Sequence, residues 1–213
     1  MEISYTSMQS TTLADPRIEL IKAASSFYRQ GWMVGTAGNL SSRLPDGSFW
    51  ITGSGCSKGE LTIRDFVRIY TDGRIESSSN LKPSAETSIH QCIYNLFPEA
   101  KACYHIHSIE ANLASGLAET GKLPLPSLEM LKGLGIWEEN PCCLMPVFHN
   151  YLEVNRIADE IKSRFSQNPP KIPALLIRNH GVTVWADSTE KARNYIEILE
   201  YIFRYMVAAR QMQ

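Results

Sequence analysis

Cysteine is scarce in this chain, and the little there is pairs badly: Cys56, Cys92, Cys103, Cys142 and Cys143 form an odd set of five with no C-x-x-C spacing. Adjacent cysteines are poorly placed to bridge one another, so a disulfide framework is not expected and a reducing compartment is. Net charge is also nearly absent, with 21 basic against 22 acidic side chains and −1 overall. That balance leaves no electrostatic footprint for nucleic acid or an anionic membrane surface. No apolar run approaches the ~18 residues of a membrane span, and the opening MEISYTSMQSTT lacks the basic and apolar regions of a secretory signal. Repeats, low-complexity blocks and an internal linker are missing too. These absences predict a cytoplasmic protein with one globular domain over 15–213, preceded by a flexible tail at 1–14.

What is present alternates between helical and strand patterns. Asp15 as N-cap, Pro16 at the first helical position and Gly31 as a stop predict a helix to about Gln30. The stretches 48–52, 66–70, 102–106, 144–148, 174–178 and 182–186 read as strands, with a tight turn at Asp72-Gly73. Helices are expected after Ser84 as far as Phe97-Pro98, after Ser108, over 152–165, and from Asp187, where Glu190 completes a capping-box pattern. The sequence therefore predicts an α/β fold with a mixed, mainly antiparallel central sheet covered on both faces by helices.

His105-Ile106-His107 carries the sharpest chemical signal. On a strand, side chains two apart leave the same face, with Cα atoms roughly 6.5–7 Å apart, so both imidazoles can reach one metal ion. His180, in Arg178-Asn179-His180-Gly181 between two apolar strands, supplies a third nitrogen. Three histidines with one open position make a catalytic zinc arrangement, although Fe, Co, Ni and Mn accept the same donors. The plain alternative for His180 is a turn histidine bonded to backbone.

Gly35-Thr36-Ala37-Gly38-Asn39, Thr52-Gly53-Ser54-Gly55 and Pro83-Ser84-Ala85-Glu86 combine glycines, hydroxyls and a helix start, as a phosphate cradle requires. Each segment taken alone is ordinary turn chemistry. Two carboxylates qualify for acid/base work if partly buried beside a cation: Glu129, in an apolar-leaning helical segment, and Glu86, in the first turn of its helix. His90, His149 and Trp185 read as structural.

Five motifs occur in the order found in the class II aldolase and epimerase superfamily: Gly38-Asn39-Leu40-Ser41, Thr52-x-Ser54-Gly55, Lys82-Pro83-Ser84-Ala85-Glu86-Thr87, His105-x-His107-Ser108 and Arg178-x-His180-Gly181. The chain resembles that superfamily from about Ile18 to Arg210. The resemblance implies a three-layer fold, zinc held by His105, His107 and His180, and Glu129 as catalytic acid/base. At Glu86 it implies a carboxylate that approaches the metal or serves as base. It further implies a sugar-phosphate substrate anchored near Asn39, Ser54, Gly55 and Ser84, and a cyclic homotetramer with sites near subunit interfaces. Ala85 departs from the second hydroxyl or small polar residue common in sugar-phosphate aldolases. Segments 129–140 and 176–185, with Gly31-Trp32, resemble more closely the dehydratases of that superfamily. The alternatives are an aldolase or epimerase of pentulose or deoxyhexulose phosphates and a non-catalytic adducin-head-like module, which would have lost the histidines.

Overall fold

A computed structural model describes residues 15–78 and 80–212, so the tail expected at 1–14 lies outside the described residues. Helix α1 (Pro16–Arg29) begins as its sequence predicts, with the Asp15 carboxylate accepting from the Arg17 backbone N–H at 3.0 Å. Strands β1 (Asn39–Arg43), β2 (Phe49–Thr52), β3 (Phe66–Ile69) and β4 (Ile75–Ser77) then run as an antiparallel meander. Helix α2 (Thr87–Leu96), strand β5 (Ala102–Ile106) and helix α3 (Ile109–Gly116) follow, and next come β6 (Lys122–Leu125) and a 3-10 turn at Glu129–Leu134. The chain closes with β7 (Cys143–Phe148), α4 (Val154–Gln167), β8 (Ala174–Ile177), β9 (Gly181–Ala186) and α5 (Thr189–Gln211).

The nine strands form one sheet in the order β4-β3-β2-β1-β5-β9-β8-β7-β6, in which only β7 and β8 pair in parallel. Strand alternation sorts the core into two layers. Leu40, Tyr104, Ile106, Val182 and Val184 face α1, α3 and α5, whereas Ile51, Cys103, Leu175, Ile177 and Trp185 face α2 and α4. This is the α/β architecture that the sequence predicts, and the five cysteines are free thiols.

Three local expectations are corrected. Ser84 does not cap α2; Glu86 occupies the N-cap position, and its side chain turns toward the site instead of bonding its own helix. Helix α5 is capped by Ser188, whose hydroxyl accepts from the Lys191 N–H at 3.2 Å, while Asp187 pairs with the Lys191 ammonium. Strand β6 carries no strand signal because Pro124 interrupts it, and its place at the sheet edge is what makes that proline tolerable.

Glu200 of α5 is a buried carboxylate, 1% exposed, that accepts from the Ser108 hydroxyl at 2.7 Å; Ser108 in turn caps α3. Burial raises its pKa to about 7 from an ordinary 4.5, Ser108 and Arg204 opposing and Glu110 adding to the rise. The folded state therefore holds this proton more tightly than the unfolded chain. The contribution is fully present below about pH 4.5 and disappears as pH rises through about 7. Denaturant unfolding of the wild type should lose roughly 3 kcal/mol between pH 4.5 and 8 from this group, and Glu200→Gln should abolish that part of the slope.

Candidate metal centre

The site forms where β5, the β8–β9 hairpin and the start of α2 meet on the α2/α4 face of the sheet. His105 follows strand alternation onto that face, Ile106 turns into the opposite core, and His107 lies just past the strand, its N–H held by the Trp32 carbonyl at 2.9 Å. His180 arrives on the three-residue loop between β8 and β9, where Asn179 takes a left-handed conformation with φ of 52° and its N–H bonds the Ser115 hydroxyl at 2.9 Å. Gly181 permits the approach: a Cβ there would stand 2.1 Å from the Ile106 carbonyl oxygen and 3.1 Å from the His107 ring. Any side chain would push the hairpin off the strand that carries the other two histidines.

The three rings stand nearly perpendicular to one another, with interplanar angles of 80–87° and centroids 4.5–4.9 Å apart. Their Nε2 atoms converge: His105 lies 2.8 Å from His107 and 3.4 Å from His180. Glu86 Oε1 comes within 3.4 Å of the His180 Nε2, and one donor atom from each of Glu86, His105, His107 and His180 lies within 4.8 Å of all the others. Burial, reinforced by the neighbouring histidines, holds the His105 pKa well below its ordinary value, and the same causes bring His107 to about 4. Both rings are therefore neutral at pH 7. The His105 Nδ1 lies 2.8 Å from the Thr183 hydroxyl, directly across the β5–β9 register. A proton on that Nδ1 leaves the Nε2 lone pair bare and facing the other rings.

Bare nitrogens turned toward each other beside a carboxylate repel unless a cation lies among them. The donor set therefore fits a metal ion, with three imidazoles and one carboxylate available to hold it. Burial alone would raise the Glu86 pKa, but the close approach of His180 and His105 and the Ser84 hydroxyl, which donates at 3.0 Å, outweigh it and keep the carboxylate well below its usual range.

The three glycine- and hydroxyl-bearing segments do meet. Gly53 pairs with Pro83 in an isolated bridge and the Ser54 N–H bonds the Lys82 carbonyl at 2.9 Å, which sets Ser54 and Gly55 beside Ser84. The third segment is tied in by Lys58, whose ammonium donates to the Thr36 carbonyl at 2.9 Å and the Cys56 carbonyl at 2.8 Å. Lys58 is 1% exposed; burial lowers its pKa, and the nearby Glu86 carboxylate works in the opposite direction. Asn39 is buried, and its amide is committed to Glu86 and His90.

Glu129 stands outside the histidine group. Its side chain is 81% exposed and pairs with Lys132 at 2.8 Å within the same 3-10 turn, so the partial burial expected for it is not found in the single subunit. The sequence did not single out Thr183 or Lys58, and it read His90 as structural, whereas the structure ties His90 through Asn39 to Glu86. A helical spacing of four from Glu86 to His90 was the available signal for His90, whereas Thr183 and Lys58 required strand register and loop contacts.

A metal-centred α/β fold of this topology defines a family, and the chain belongs to it: residues 18–207 match the class II aldolase and adducin N-terminal domain family. Over 203 residues, covering 94% of this chain and 99% of the relative, it is 62% identical to the methylthioribulose-1-phosphate dehydratase of Microcystis aeruginosa. A protein of the same name from Leptospira biflexa is 45% identical over 88% of this chain and 94% of its own length. Among solved structures, YgbL of Escherichia coli, described as a putative aldolase/epimerase/decarboxylase, superposes with a TM-score of 0.77 at 29% identity, covering 90% of this chain and 88% of that one. An L-fuculose 1-phosphate aldolase shares the fold with a TM-score of 0.77 at 23% identity, covering 94% and 88% of the two chains.

Elemental analysis of purified variants tests the donor set. His105→Ala should lose the bound metal. Thr183→Val, which keeps the shape but removes the oxygen that fixes the His105 tautomer, should weaken metal affinity about 10- to 100-fold without changing the fold. Wild-type affinity in Thr183→Val would remove that hydroxyl from the account.

Proposed function

We propose that the protein is a methylthioribulose-1-phosphate dehydratase, removing water from 5-methylthioribulose 1-phosphate to give the 2,3-diketone phosphate in methionine salvage. The observation that carries this reading is 62% identity over 94% of the chain to a protein of that name, joined to an intact histidine and carboxylate group. A cytoplasmic location fits such an enzyme, and among the described residues no helix is long and apolar enough to cross a membrane.

His105, His107 and His180 would hold a divalent ion, and their all-imidazole donor set suits zinc. When bound, that ion supplies Lewis acidity toward the substrate's C2 ketone oxygen. The phosphate lies among Ser54, Gly55 and Ser84, with Asn39 forming the wall behind. Glu129 takes the C3 proton, and the C3–H electron pair moves into the C2–C3 bond as the ketone becomes an enolate. The same carboxyl then returns the proton to the C4 hydroxyl, which leaves as water while the C3–C4 double bond forms. Ketonisation of that enol gives the diketone. Glu86, fixed beside His180, is the reserve base.

Because Glu129 projects into solvent outside the histidine group, we place its action in a site shared between subunits of a homo-oligomer, a cyclic tetramer by family resemblance. Purified enzyme should convert the substrate to diketone without releasing the thioether-bearing aldehyde; stoichiometric aldehyde would make it an aldolase. Glu129→Gln should lower kcat by about 10²- to 10⁴-fold with metal content retained. Mixed oligomers of Glu129→Gln and His105→Ala subunits should regain activity that neither has alone. Full activity in Glu129→Gln together with loss in Glu86→Gln would exchange the two carboxylates.

A further inference from the structure

Glu86 ends a buried hydrogen-bond chain whose direction follows atom by atom. An ionised carboxylate only accepts, so the Asn39 Nδ2 donates to Glu86 Oε2 at 2.5 Å. The other end of that amide, Oδ1, therefore faces the His90 Nε2 at 2.5 Å and can only accept, which puts a proton on Nε2. His90 is fully buried, and burial lowers its pKa to about 4. With the ring neutral, Nδ1 is bare and accepts from the Ser41 hydroxyl at 2.7 Å. Ser41 also lies 3.3 Å from the Cys103 carbonyl, but its one proton goes to the shorter contact, since Nδ1 would otherwise have no donor. Its oxygen then accepts from the Tyr94 hydroxyl at 2.7 Å. From Tyr94 through Ser41, His90 and Asn39, every proton points toward Glu86.

The two ends of an asparagine amide have nearly the same shape, so packing alone does not decide which end meets the carboxylate. Without a donor at His90 Nε2, the Asn39 Oδ1 is left unpaired and the carboxylate alone orients the amide that is meant to hold it. We propose that His90 is a positioning residue for Glu86: its Nε2–H locks the Asn39 amide and thereby holds the carboxylate in place. The proposal rests on the Glu86, His105, His107 and His180 group being the catalytic centre. Strand alternation puts Asn39 and Ser41 on the α2 side of β1, and helical spacing puts His90 and Tyr94 on the buried side of α2, so the fold builds the chain from two rigid elements.

Two measurements test it. In the metal-loaded wild type, nitrogen-15 spectra of the imidazoles should show His90 as the neutral Nε2–H tautomer at neutral pH. An Nδ1–H tautomer or an imidazolium reverses the chain and overturns the proposal. This readout needs no substrate, so it stands even if the wild type fails to dehydrate methylthioribulose phosphate, the result that would sink the functional reading alone. In kinetics, His90→Gln places an amide nitrogen near the Nε2 position, while His90→Asn reaches only the Nδ1 side. Glutamine should keep kcat within about fivefold of wild type, and asparagine should lose about 10- to 100-fold in kcat, with KM and metal content nearly unchanged in both. Equal activity of the two variants, or losses that follow their melting temperatures, overturns the proposal.

Discussion

A buried carboxylate packed against neutral imidazoles is a costly thing to fold unless a positive charge is shared among them, and the architecture around Glu86, His105, His107 and His180 is arranged to hold that arrangement in place. Two of its supports come from strands. His105 and Thr183 face each other across β5 and β9, so one backbone register fixes both the ligand and the group that sets its tautomer. The hairpin bearing His180 rests on β5 with no room for a side chain at Gly181. The third support is the start of α2, where Glu86 leaves its capping role to turn toward the histidines. A metal centre built on elements that are individually stiff needs little reorganisation when an ion or substrate arrives.

The electrostatics complement this rigidity at short range. A chain of net charge −1 provides no general attraction for a phosphorylated ligand, yet Lys58 buries a full positive charge where two of the glycine-bearing segments meet, within the field of Glu86. Among the described residues its ammonium meets two backbone carbonyls and no carboxylate, so no ion pair there cancels its charge.

Much of this was legible because it depends on periodicity. The His105-x-His107 spacing requires only that 102–106 be a strand, and the Asp15-Pro16 and Ser108 helix starts follow from capping chemistry over two or three residues. What could not be read depends on partners distant in sequence. Thr183 is 78 residues from His105 and becomes relevant only through strand register. Lys58 reads as an ordinary loop lysine until its loop folds over Thr36. His90 looks like helix filling because the groups it serves, Ser41 and Asn39, come from a strand 49 and 51 residues away. Pro124 conceals β6 because the tolerance of a sheet edge is a property of the whole sheet.

The same division bears on how one scaffold supports different reactions. Metal ligands, the Thr183 partner and the Asn39–Glu86 pair are buried and mutually constrained, so a substitution at any of them disturbs the others. Such a core can activate a ketose phosphate, a step common to carbon–carbon cleavage, epimerisation and loss of water, and it does not choose among them. The choice must come from groups that meet C3 and C4 from outside the constrained set, where residues can change without unbalancing the metal site. Glu129, the acid/base group proposed above, lies outside that constrained set, exposed on a six-residue 3-10 turn that packs on α5 and ends at Gly135 in a left-handed conformation. Among the described residues its carboxylate is restrained only by Lys132, a surface pair of the kind worth at most about 1 kcal/mol. That bond is weak enough to be exchanged for a substrate hydroxyl, so the turn can present an acid/base group without the rigid centre having to move.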